Sequence, residues 1–208
     1  MIKGAVFYMG SNSLRGWIEA ILIGVVSYLL LYVPIAVGDS FLTFSVLPIL
    51  FIGLRRGLLQ GFFAGIVAGI LALLLMSNSN DLLVNIVSQF GPLAFIGIVG
   101  FFAKFTQRTL NNKRYPNAAV NIITASILGT LVFYLWKFVA SLSFNAEQVA
   151  EGSSAISHYL KIDGLSFAVT LAANAIVLLL LAKFLPKFFI PKDTPFLSRK
   201  EKSKLLND

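Results

Sequence analysis

Six apolar runs, separated by short polar or basic clusters, set the pattern of the chain. The runs fall at 14–37, 41–54, 57–76, 82–105, 118–144 and 164–190. A membrane-crossing helix needs about 20 mainly apolar residues, because only internal hydrogen bonding satisfies its backbone in lipid. Five of the runs meet that length, and 41–54 does not. Because it contains Pro48, it reads as a short helix, kinked or half-buried against its neighbours. The fourth run breaks near Gly91-Pro92. Ala36-Val37-Gly38 has the small-residue character of a signal-cleavage site. The run before it is too long for a signal core of about 7–15 residues, so it reads as a retained helix.

Composition narrows the class. The 208 residues are 57% hydrophobic and 12% charged, with a mean hydropathy of +0.84. Soluble domains carry about 25% charged residues, so a water-exposed monomer is excluded. The 19 Phe and the long aliphatic runs demand burial, which excludes disorder. The reading is all-α and integral to the membrane, a compact bundle of six transmembrane helices spanning 14–190. A short segment (1–13) precedes the bundle, and a basic tail (191–208) follows it.

The net charge of +8 matters through its placement. With six spans, fifteen of the 17 basic residues fall on one side: Lys3 and Arg15, Arg55-Arg56, the 104–114 linker, and Lys183 onward. The other side holds Lys161 against Asp39, Asp81, Glu147, Glu151 and Asp163. The positive-inside rule then puts both termini in the cytoplasm. The excess charge signals topology, with anionic lipid as a further partner of the tail, and carries no nucleic-acid footprint.

Enzyme chemistry has little to work with. Cysteine is absent, His158 is the single histidine, and neither a P-loop nor HExxH nor GxSxG occurs. Glu19 is the one carboxylate within a run that could serve at depth. No catalytic residue, metal site or cofactor is expected.

Polar groups inside a bilayer are costly and therefore mark function. Lys137 lies about 10 Å from the outer end of its helix at 1.5 Å per residue, with Asn85 and Gln89 at similar depth and Asn174 deeper. Phe133, Tyr134, Lys137, Ser141 and Asn145 share one helix face by i, i+3/i+4 spacing. Aromatic walls with a few polar groups suit a small-molecule pocket. Taken singly, each amide is equally an interhelical hydrogen bond, and Lys137 equally a side chain snorkelling to the outer headgroups. The 145–163 loop, with His158-Tyr159, is long enough to form a lid. Gly57, Gly61, Gly65 and Gly69 recur every fourth residue, and Ala20 and Gly24 form a second small-residue pair. Such faces serve either packing within the bundle or docking of another subunit.

LPILFIGLRRGLLQGFFAGIVAGIL (47–71), GPLAFIGIVGFFAK (91–104) and YLWKFVASLSF (134–144) resemble the thiamine-specific S components of energy-coupling factor transporters. WIEAILIGVVSYLL (17–30) is similar to that family's first helix, so the resemblance covers residues 14–190 in order. It implies a membrane subunit that captures a vitamin from outside. Such a subunit docks on a transmembrane coupling protein bearing two cytoplasmic ATPases and releases its ligand by toppling. In the family the small-residue face of helix 1 meets the coupling protein, which maps onto Ala20 and Gly24.

The departures fall in the implied ligand site. The family's Glu-Tyr-Pro-Leu-Ala-Phe becomes Gln89-Phe90-Gly91-Pro92-Leu93-Ala94-Phe95, so the acidic position falls on Gln89 or Phe90. Its helix-5 histidine, glycine and stacking tryptophan become Lys137, Ser141 and Asn145, and its helix-6 asparagine matches Asn174. Exchanging a carboxylate for an ammonium opposes the thiazolium cation of thiamine. Losing the tryptophan removes on the order of 1–2 kcal/mol of cation–π contact. Lys137 instead suits an anionic or carbonyl-bearing ligand. The expectation is therefore vitamin capture, of thiamine or a relative. The alternatives are an S component for a more anionic vitamin or precursor and, in a different class, a non-transporting scaffold using its glycine faces.

Overall fold

The computed structural model describes residues 11–38, 40–76, 79–144, 154–198 and 201, with side chains from Leu14 on. Its helices are α1 (Ser11–Leu30), α2 (Val46–Arg56), α3 (Leu58–Leu75), α4 (Leu82–Asn111), α5 (Tyr115–Phe144) and α6 (Ala155–Phe184). Between α1 and α2 lies a small antiparallel hairpin, β1 (Ile35–Val37) with β2 (Ser40–Leu42), in which Ile35 faces Leu42 and Val37 faces Ser40.

The hairpin corrects the sequence expectation that the first helix continues to Val37. Pro34 has no N–H to donate and disfavours helix in the residue before it, so α1 stops and the apolar Ile35–Val37 turns extended. Gly38 makes the turn at φ +61°, and the Ser40 hydroxyl closes it by donating to the Val37 carbonyl at 2.7 Å. The last helix starts at Ala155 rather than Gly164, so His158-Tyr159 lies on helix and not in a loop. Residues 145–153, the rest of the expected lid, lie outside the described residues.

α2 is buried from Val46 to Leu54 apart from the half-buried Leu47 and Phe51, which suits a helix apolar nearly all round. Pro48 sits in its first turn, where a missing N–H breaks no intrahelical bond, so the expected kink is unnecessary. α3 lays its small residues on α4. A Cβ at Gly65 would lie 2.5 Å from the Leu93 carbonyl oxygen, and one at Gly97 would lie 2.1 Å from the Phe62 nitrogen. The glycine ladder is thus an internal seam.

α4 carries a π-helical turn at Ile86–Phe90 and a 3-10 stretch at Ile96–Phe102. Pro92 cannot donate to the Ser88 carbonyl, so the regular ladder is interrupted just there.

Among the described residues, four helices (α3, α4, α5 and α6) are long and apolar enough to cross a membrane. Of the six expected spans, α2 is 11 residues long, and α1 carries Arg15 and Glu19 within its 20 residues. Leu74, Phe101, Val120, Ile176 and Phe184 stand exposed on the bundle exterior, the arrangement that lipid rather than water accommodates.

The basic clusters meet at one end. Glu19 accepts from Arg55 at 3.0 Å and Arg56 at 2.7 Å, while Arg56 also holds Asp193 at 2.7 Å. The buried Gln107 amide donates to the Leu54 and Arg55 carbonyls and accepts from Thr194 at 2.5 Å. Phe189, Thr194 and Leu197 are buried as well. The first part of the basic tail, through Leu197, therefore packs onto the bundle. Glu19 is consumed in this network and is not available for chemistry.

Candidate functional site

At the end opposite the ionic network, α4 and α5 line two adjoining cavities of about 270 and 530 Å³, the smaller of which is also lined by α6 and the hairpin. Ser88, Gln89 and Lys137 line both, so the two share a junction. The hairpin is fastened to its neighbours by side chains. Phe41 N donates to Ser166 Oγ at 3.0 Å, Thr43 N to Thr170 Oγ1 at 3.2 Å, and Tyr134 Oη to the Phe41 carbonyl at 3.1 Å.

The structure brings several of the expected residues together. Lys137 reaches the junction, with Nζ 5.5 Å from the centroid of the Phe133 ring. It is therefore held over an aromatic face that lines the cavity. Gln89 projects from the π turn into both cavities, and its amide makes no hydrogen bond among the described residues. Ser141 lines the larger cavity. Tyr134 lines the smaller one with its ring, since its hydroxyl is already engaged by Phe41 and, at 2.9 Å, by Thr170.

Other expected residues sit elsewhere. Phe90 packs against Gly69 of α3, away from the cavities, so Gln89 is the one of that pair positioned for a ligand. Asn85 borders the larger cavity but spends its amide on the preceding turn. It donates to the Ser79 carbonyl at 2.6 Å and accepts from Ser79 N at 3.3 Å. Asn174 is fully buried and lines neither cavity; both its amide atoms lack partners among the described residues. It lies one turn beyond Thr170 on α6. Asn145 lies outside the described residues. Ala20 and Gly24, expected on a docking face, are buried against α3, where a Cβ at Gly24 would lie 2.7 Å from the Ala64 carbonyl oxygen.

Two groups of lining residues escaped the sequence reading. Phe41 and Thr43 enter through the hairpin, whose position no local pattern announces. Asp163 and Ser166 enter through α6. Their signal was present: Asp163, Ser166, Thr170 and Asn174 recur at helical spacing and form one polar stripe. A helix begun at Gly164 leaves Asp163 out of that stripe.

Cavity, hairpin and bundle can be compared with known proteins. Residues 17–190 match the family Thiamine transporter protein (Thia_YuaJ). The chain belongs to this family. A solved structure of ThiT from Listeria monocytogenes has the same fold, with a TM-score of 0.80 and 24% identity, covering 87% of this chain and 100% of that one. No curated protein matches the chain in sequence. Membership of this family makes the chain a transport protein rather than an enzyme.

Proposed function

We propose that this protein is the substrate-binding subunit of an energy-coupling factor importer, taking up thiamine or a close derivative through the cavities between α4, α5, α6 and the hairpin. The observation that carries this reading is the junction at Gln89 and Lys137, where a family-matched bundle holds unspent polar groups beside the Phe133 and Tyr134 rings. Aromatic walls with few polar groups orient a flat heteroaromatic ligand. The basic end, with Arg55, Arg56 and the packed tail, is the cytoplasmic one by the positive-inside rule, which turns the cavities outward in a prokaryotic plasma membrane. The chain has no P-loop, so energy for release comes from a coupling protein with two ATPase subunits. Because α3 covers Ala20 and Gly24, the face of α1 offered to that coupling protein is the exposed one bearing Ile18, Leu22, Val26 and Leu29.

Titration of the purified protein with thiamine tests the ligand, and co-purification with a coupling protein and two ATPases tests the assembly. Tight thiamine binding is the expected result, and its absence refutes the thiamine reading. A second reading, a more anionic vitamin or precursor, is favoured by Lys137 at the junction. Mass spectrometry of small molecules retained on purification separates the two.

A further inference from the structure

The smaller cavity contains a charged group to which ligand capture as described above gives no role. Asp163 projects from the third turn of α6 and lines this cavity with Lys137, Phe133 and Tyr134. Its Oδ2 is buried and has no hydrogen-bond partner among the described residues. Lys137 and Asp163 attract each other across the space, yet no direct ion pair joins them. A carboxylate oxygen withdrawn from water and left unpaired is unfavourable, and a positively charged ligand seated beside it relieves that cost. The Tyr134 ring supplies an aromatic wall in the same cavity, while the face of Phe133 is already occupied by Lys137 Nζ at 5.5 Å. Lys137 stands at the junction with the larger cavity, where Ser88, Gln89 and Ser141 supply further polar groups. Asp163 and Lys137 thus place groups of opposite charge on the wall of the smaller cavity, and Lys137 lines the larger one as well.

We infer that Asp163 is the specificity-determining residue for the ligand's positive charge, its carboxylate receiving the cationic ring in the smaller cavity while Lys137 holds an electron-pair-bearing group at the junction. This rests on the reading of the chain as a thiamine-type capture subunit and adds how the site tolerates a lysine. The ammonium and the carboxylate offset one another, so the site as a whole does not repel a cation.

The test compares thiamine, permanently cationic, with its neutral deaza isostere, in which carbon replaces the thiazolium nitrogen, on the purified full-length protein in detergent. Asp163→Asn is expected to lower thiamine affinity at least about tenfold, the scale of losing an opposite charge at close range in a partly buried site. Binding of the neutral isostere stays unchanged, and Asp163→Glu recovers part of the thiamine affinity. Unchanged thiamine binding by Asp163→Asn overturns the inference, and so does an equal loss for both compounds, which marks a merely structural role. If the unaltered protein binds neither compound, the thiamine reading itself falls and this inference with it. An indifferent Asp163→Asn in a protein that does bind thiamine overturns this inference alone.

Discussion

Gly24 of α1 lies against the carbonyl oxygen of Ala64 in α3 so closely that a Cβ on the glycine would approach it to 2.7 Å, with Val67 Cβ at 2.9 Å. Neither neighbour is the far end of a flexible side chain, so relief requires the helices to part. Gly24→Ala is therefore expected to destabilise the isolated subunit by about 1–3 kcal/mol, the usual cost of overpacking. Thermal unfolding in detergent, without any coupling protein, measures it. Leu22→Ala, on the exposed face of α1, is expected to leave that unfolding temperature unchanged and to weaken co-purification with the coupling protein. The reverse pattern would return docking to the small-residue face.

The seam between α3 and α4 is tighter still. A Cβ at Gly97 would fall 2.1 Å from the Phe62 nitrogen and 2.4 Å from the Gly61 carbonyl carbon, all backbone. Gly97→Ala is expected to abolish accumulation of folded protein. Gly164→Ala, with nothing within 4 Å of the new methyl, is expected to be stabilising by about 0.5–1 kcal/mol through helix propensity. Size-exclusion profiles and melting curves of the two variants distinguish a packing requirement from a general intolerance of substitution.

Asn174 offers a test of which polar groups belong to the site. It is fully buried, with neither amide atom paired among the described residues, and it borders neither cavity. Replacing an unsatisfied buried amide by an apolar group of similar shape is near neutral or stabilising. Asn174→Leu is expected to hold or raise the melting temperature and to leave thiamine affinity unchanged. A large loss of affinity in a well-folded Asn174→Leu protein would place the residue back in the ligand site.

Tyr134 joins the hairpin to the bundle through one hydroxyl, bonded to the Phe41 carbonyl and to Thr170. Tyr134→Phe keeps the ring in the cavity and removes that link. It is expected to cost about 1 kcal/mol of stability. Because Phe41 and Thr43 line the cavity from the hairpin, ligand affinity is expected to fall with it. Calorimetric unfolding and a thiamine titration on the same preparation read the two effects. Loss of affinity without loss of stability would mean that the hydroxyl contacts the ligand directly.

Asn85 behaves differently, because its amide is bonded on both sides to the Ser79 backbone. Asn85→Ala is expected to cost about 1 kcal/mol of stability by freeing half-buried backbone groups, with ligand affinity falling far less than in Asp163→Asn. Comparing the two variants at equal fraction folded settles the order.

Much of this protein follows from sequence alone, because the bilayer limits the choices. Apolar runs of helix length bounded by Gly, Pro and charge have to become helices in lipid, and the runs at 57–76, 82–105 and 118–144 did so within a few residues of their ends or continued further. The helical spacing of Phe133, Tyr134, Lys137 and Ser141 likewise put a common face on α5, and that face meets the cavities. These are local properties, set by the 3.6-residue period. Tertiary structure decided the rest. Pro34 ends α1, but only packing against Ser166 and Thr170 makes the following apolar residues a hairpin that closes the cavity. Glycine spacing marks a close approach without naming the partner, and the partner is α4 of the same chain. The charge of the site shows the difference most clearly. Local reading found Lys137 on α5 and no acid on α4, whereas the fold brings Asp163 from α6, 26 positions further along, into the same cavity. No periodicity within one helix encodes which residue of another it will face, since that depends on how the helices are stacked.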